Sequence, residues 1–165
     1  MEAQRLVRHF LAAIAYRAQK AMRDAPASYW QFESGNRTRP PAALLRHMTS
    51  VLGYARTFVV GGHYPVDPDP LPTPEAEQER FHSMLTAVSD LIAPDGTLGT
   101  LSAEQLLQGP LADVMTHVGQ LAMLRRLAGT PVPPENFIFA AVDARNLSAD
   151  QPAPARPDPE WRERP

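Results

Sequence analysis

Cysteine is absent from the 165 residues. That excludes a disulfide framework, a thiolate metal site and a cysteine nucleophile. Any metal would have to be held by histidine, carboxylate or water, a donor set suited to Zn, Ni, Mn or Fe(II). Aromatic residues are sparse at 7%, and the formal net charge is -2 with a pI of about 6.2. Neither a stacking platform for single strands nor a basic footprint is present, so no nucleic-acid partner is expected. No apolar run approaches the roughly 18 residues a membrane span needs. The segment Met1 to Arg23 is interrupted by Arg8, His9, Arg17 and Lys20, unlike the apolar centre of a secretory leader. The expectation is a cytoplasmic protein that does not enter membranes. Dinucleotide and P-loop glycine motifs are missing, and no serine is framed as a nucleophile elbow.

What the chain does have is 44% hydrophobic residues, enough to fill one core, and 18 prolines. The prolines cluster in 67–74, in 131–134 and in 152–165, and they are nearly absent from the periodic segments. They mark the joints of the fold. Between them four helices can be read. The first spans about Glu2 to Arg23, with Leu6, Phe10, Ala13, Ile14, Arg17 and Ala21 at helical spacing and Val7 and Leu11 widening the stripe. A loop with Tyr29, Trp30 and Phe32 then covers one end. The second helix opens at Pro40-Pro41, buries Leu44, Met48, Val51, Leu52, Ala55, Phe58 and Val59, and stops at Gly61-Gly62.

The third helix opens with Thr73 as cap, Pro74 in the first turn and Glu75 beside it. Its apolar face is Phe81, Met84, Leu85, Val88 and Leu91/Ile92. The acids Glu75, Glu77 and Glu79 read as its solvated, dipole-favoured start. The last helix opens with a capping box, Ser102 to Gln105, kinks at Gly109-Pro110 and ends at Gly129. With no convincing strand, the expected architecture is an all-α four-helix bundle over residues 1–142. The extended linker His63–Pro72, at about 3.1 Å per residue, is long enough to run back along a 20-residue helix of about 30 Å. It is therefore read as a long crossover that sets the second and third helices parallel. Residues 143–165 form a proline-rich tail that is either disordered or pinned to the bundle through Trp161.

Chemistry concentrates in the last helix. Asp113 and His117 are four apart and so share a helix face, as the two histidines of a His-x-x-x-His zinc pair do. They flank the apolar stripe of Val114, Val118 and Leu121. Spacing alone leaves two readings open, a locally hydrogen-bonded surface pair or two ligands of one ion. His47, at the edge of the second helix's apolar face, is the best third ligand. His9 has no acid at ligand spacing, His63 sits in a loop, and His82 points away from the apolar face of its helix. Gln120, three residues beyond His117, suits support of a ligating imidazole or simple packing. Arg125 and Arg126 suit the negative end of a helix.

The run His117-Val-Gly-Gln120, followed by Leu124-Arg-Arg126-Leu and Gly129-Thr-Pro-Val132, resembles the last-helix signature of the DinB-like superfamily. Leu44-Leu45-Arg46-His47-Met48 resembles that family's second-helix histidine segment. The resemblance covers roughly Met1 to Phe139. It implies a four-helix bundle with a crossover, and a divalent ion, Zn or Ni before Mn or Fe, held by His47, Asp113 and His117. The family usually has histidine where this chain has Asp113. The resemblance further implies a metal-dependent enzyme acting on small molecules, as a thiol-dependent S-transferase or as a hydrolase, with a low-molecular-weight thiol among its partners. The Asp113 departure keeps a second reading open, a non-catalytic bundle working as a homodimer or partner-binding module through Phe137, Ile138, Phe139 and the tail.

Overall fold

The computed structural model describes residues 2–158, and those residues are mostly helical, with only two isolated bridges in place of a sheet. The long helices are α1 (Glu2–Met22), α2 (Pro41–Val60), α3 (Pro74–Asp90) and α5 (Ala112–Leu127), with a single-turn α4 (Ala103–Leu106) ahead of α5. Helix α2 packs on α3 and α5, and α1 packs on α5 and α3. Among the described residues no helix is long and apolar enough to cross a membrane.

The local signals act where the residues place them. Thr73 accepts the Ala76 amide at 3.2 Å, with Pro74 and Glu75 following it. The capping box closes reciprocally, Gln105 N to Ser102 Oγ at 3.2 Å and Ser102 N to Gln105 Oε1 at 2.8 Å. Gly61 ends α2 at φ 72°, a left-handed conformation that glycine adopts without a Cβ penalty. At Gly109-Pro110 the chain widens into one turn of π-helix, Leu107–Leu111, and Gly109 leaves helical geometry altogether. Proline has no amide to give the preceding turn, so α5 starts afresh at Ala112.

The centre of the molecule is filled by Leu11, Ile14, Leu45, Met48, Leu52, Phe81, Leu85, Leu106 and Leu111, all at most 2% exposed. Val114, Val118 and Leu121 join them from α5. On α1 the buried stripe is Val7, Leu11, Ile14, Ala18 and Ala21, while Leu6 is 49% exposed. The expected stripe through Leu6, Phe10, Ala13 and Arg17 is therefore rotated by one position. Both registers have helical period, and the small side chains Ala15 and Ala18 are buried where α1 meets the other helices. The aromatic loop covers one end as expected. Tyr29 and Trp30 are buried, and Tyr29 donates to the Leu121 carbonyl at 2.9 Å.

Three polar residues play parts their local sequence did not suggest. Glu77 is not a solvated first-turn acid. It is 2% exposed, accepts the Leu71 amide at 2.9 Å and pairs with Arg80 at 2.5 Å and Arg46 at 3.6 Å. His82 does not point to solvent. It is 4% exposed beneath the segment after residue 143, and its Nδ1–H donates to the Leu147 carbonyl at 2.7 Å. Arg125 is buried too, donating to Thr130 O at 2.7 Å, Arg23 O at 3.0 Å and Ala21 O at 3.3 Å. It thereby satisfies carbonyls at the end of α1, which have no intrahelical partner.

The described part of the tail lies on the protein. Leu147 and Gln151 are buried, and Arg23 donates to Gln151 O at 2.7 Å. Trp161 lies outside the described residues. The segment before the tail is held by Tyr16, which donates to Glu135 Oε1 at 2.7 Å, and by Arg17, 4.0 Å above the Phe137 ring. Linker contacts fall on α2 in reverse order. Tyr64 lies so close over Gly53 that a β-carbon there would collide with its ring. Ser50 donates to Pro65 O at 2.7 Å, and α3 then meets Arg46 through Glu77.

Removing the Glu77 carboxylate strands two largely buried guanidinium groups, so Glu77→Ala is expected to cost about 3 kcal/mol, read as a lowered urea midpoint with unchanged helical signal. Burial holds His82 below the ordinary histidine value of 6.5, against an upward pull from its bond to Leu147. The unfolded chain then binds more protons than the folded one just below pH 6.5. Stability contributed by His82 is present above that pH and falls as pH drops through the depressed folded value. His82→Asn should flatten this part of the urea-midpoint profile.

Candidate metal centre

The α2–α5 contact sets His47 against the first two turns of α5. The restart after Gly109-Pro110 leaves Asp113 in the first turn of α5 and His117 one turn further on. A carboxylate there also faces the positive end of the helix dipole. His47, Asp113 and His117 each offer one ligand atom, and these atoms all lie within 4.8 Å of one another. Among the described residues no other histidine joins such a group. His9 and His63 are exposed and His82 lies beneath the tail.

His117 Nε2 stands 3.3 Å from Asp113 Oδ1. Two ligand atoms bound at about 2.0–2.2 Å to one tetrahedral ion are separated by roughly 3.3–3.5 Å, so this edge already has the right length. The imidazoles of His47 and His117 meet edge to face, with centroids 5.0 Å apart and planes at 73°. His117 Nδ1 lies 2.8 Å from Gln120 Oε1. With the amide oxygen accepting, the proton sits on Nδ1 and the Nε2 lone pair faces Asp113. A cation between them, a proton or a metal ion, is what lets two such atoms stand so close. This tautomer is the one a metal-bound imidazole takes when its other nitrogen is hydrogen-bonded.

Burial holds His47 below 6.5, helped by the Arg39 guanidinium and the second imidazole and opposed by Asp113 and Asp67. At neutral pH it is the uncharged form that binds metals. The His117 side chain is 12% exposed and that of Asp113 is 48% exposed, so the group sits at the rim of the core, open on one side. Two imidazoles and one carboxylate form the donor set of many catalytic zinc sites and of non-haem iron(II) sites, which keep positions for water or substrate. The residues present fit a divalent ion and leave it a residual positive charge.

Two clefts meet at this group, and neither was legible in the sequence. One, of about 670 Å³, is bounded by His47, Asp113, Tyr54, Tyr64, Val66 and Pro110. The other, of about 630 Å³, is bounded by His117, Gln120, Arg37, Arg39, Leu44 and Leu127. Gly109-Pro110, read from sequence as a kink alone, also forms part of the first wall. Comparison with protein-family models, with curated proteins and with solved structures gives no match to this chain.

Because Gln120 fixes the tautomer of His117, Gln120→Ala is expected to weaken Zn(II) or Ni(II) binding about 10- to 100-fold without loss of helix. Competition against a chromophoric chelator would measure this, and unchanged affinity would show that Gln120 plays no part.

Proposed function

We propose that this chain is a metal-dependent enzyme of the DinB-like type that acts on small molecules. The observation that carries the reading is the convergence of His47, Asp113 and His117, with Gln120 Oε1 2.8 Å from His117 Nδ1, between two clefts. The proposed architecture is a four-helix bundle of α1, α2, α3 and α5 with a long crossover between α2 and α3. Support for the crossover comes from the reverse order of the linker contacts along α2, Gly53, then Ser50, then Arg46. A hairpin connection would meet only the last turn of α2.

When bound, a Zn or Ni ion at this site supplies Lewis acidity, lowering the pKa of a coordinated water or thiol into the neutral range. The protein's own residues do the remaining work. His47, Asp113 and His117 hold the ion on one side only. Gln120 keeps the proton of His117 on Nδ1, away from the ligand lone pair. The clefts offer space for reactants beside the open side. This arrangement suits transfer to a small thiol cosubstrate or hydrolysis, and a cytoplasmic setting is proposed with it.

A second reading has its own observation. Ile138 is 86% and Phe139 55% exposed, next to one another on a single turn. Such residues favour association, and a metal-free homodimer is the alternative.

Elemental analysis of the purified chain separates the two. About one Zn, Ni, Mn or Fe per chain is expected. His117→Ala and Asp113→Ala should each lower metal affinity more than about 100-fold while the protein stays folded. A folded wild-type chain that takes up no metal from Zn(II) or Ni(II) solutions, and that scatters light as a dimer, would favour the alternative.

A further inference from the structure

The two clefts that border the group, one at His47 and Asp113 and the other at His117, differ in charge. The one bounded by Tyr54, Tyr64, Val66 and Pro110 carries no charged side chain beyond the proposed ligands themselves. The other carries Arg37 and Arg39 and no carboxylate. Among the described residues neither guanidinium forms an ion pair or a hydrogen bond. The half-buried Arg46 and Arg80 are spent on Glu77, and the buried Arg125 on the end of α1.

Arg37 is also held in place by an unusual backbone. Gly35, Asn36 and Arg37 have φ of 85°, 51° and 60° in succession. A left-handed conformation is uncommon for a residue such as arginine. The turn is closed by Thr38, whose amide and hydroxyl both donate to Gly35 O, at 3.1 and 2.8 Å, and whose hydroxyl meets Ser34 Oγ at 2.5 Å. Backbone held in sparsely populated regions clusters at ligand sites. The floor of this cleft is one stripe of α5, His117, Gln120, Leu124 and Leu127, with Met123 beside it and Leu44 opposite. Met123 and Leu127 are each more than half exposed. An uncompensated pair of guanidinium groups thus stands over an apolar floor that leads to His117.

We propose that this cleft binds a small amphiphilic carboxylate, its head on Arg37 and Arg39 and its apolar body along Leu44, Met123 and Leu127. Guanidinium groups match the planar, two-oxygen geometry of a carboxylate, and the apolar floor selects an organic anion over a free inorganic one. The ligand's position rests on the metal reading only in placing its reactive end toward His117.

The probes are octanoate, octanol and inorganic phosphate, titrated by calorimetry or NMR into the metal-loaded chain. Octanoate is expected to bind at least about tenfold more tightly than octanol, as a charge-assisted contact would give. That preference should shrink between about 50 and 500 mM salt. In the double variant Arg37→Gln/Arg39→Gln, both on an exposed turn, the preference should vanish while metal content and octanol binding persist. In His117→Ala the preference should remain. Equal binding of octanoate and octanol by wild type overturns the proposal. So does a preference that survives the arginine replacements but is lost in His117→Ala, since the carboxylate would then sit on the ion. Phosphate binding as tightly as octanoate overturns the amphiphile assignment. Metal content of the same samples reports on the metal centre independently, since a carboxylate preference without metal keeps the cleft and sinks the centre, and metal without the preference does the reverse.

Discussion

The packing of α2 against α5 places the one imidazole of α2 beside the carboxylate and imidazole of α5. Leu44, Leu45, Met48 and Leu52 on one side and Val114, Val118 and Leu121 on the other are nearly free of solvent, and their burial is what holds the two backbones together. His47, Asp113 and His117 stand at the edge of that seam. They are close because the apolar residues one position away are packed. The kink at Gly109-Pro110 matters for the same reason, since it decides where α5 begins and therefore which face Asp113 presents.

A small set of buried polar residues complements this core, and each fastens an irregular segment to a helix. Glu77 gathers the end of the linker, Arg46 and Arg80. Arg125 ties the end of α1 to the turn after α5. His82 holds the tail through Leu147, and Tyr16 holds the returning chain through Glu135. Such groups are costly to bury unpaired, so each also specifies where its segment must lie. Long stretches without secondary structure are thereby given defined paths over the helices. Two of these, the turn before α2 and the linker after it, form the outer walls of the clefts.

Charge is distributed in keeping with this division. The protein as a whole is mildly acidic, yet the turn before α2 carries two arginines that have no ion-pair partner among the described residues, over an apolar floor. The opposite cleft is lined by tyrosine, valine and proline. A cation at His47, Asp113 and His117 would lie between an anion-attracting side and an uncharged one, an asymmetry suited to holding two different groups in fixed orientation.

Much of this was written locally in the chain. Thr73-Pro74, Ser102 to Gln105, Gly61 and Gly109-Pro110 act within a turn of their own position, so their effect follows from the residues alone. Asp113 and His117 share a face because helical spacing puts them there, and His47 was selected by its place at the edge of an apolar stripe. Other features depend on what another segment brings. Leu6 and Val7 are equally apolar, and only the neighbouring helices decide that Val7 turns inward. Glu77 has the sequence context of a surface acid until the linker and Arg46 close over it. His82 looks outward until the tail covers it, and Arg37 and Arg39 are two ordinary loop cations until His117 and Leu127 are placed beneath them. Sequence determines conformation where the interacting groups are covalently near. The burial of a charge and the shape of a cleft are set by contacts between residues far apart in the chain, which only the tertiary structure decides.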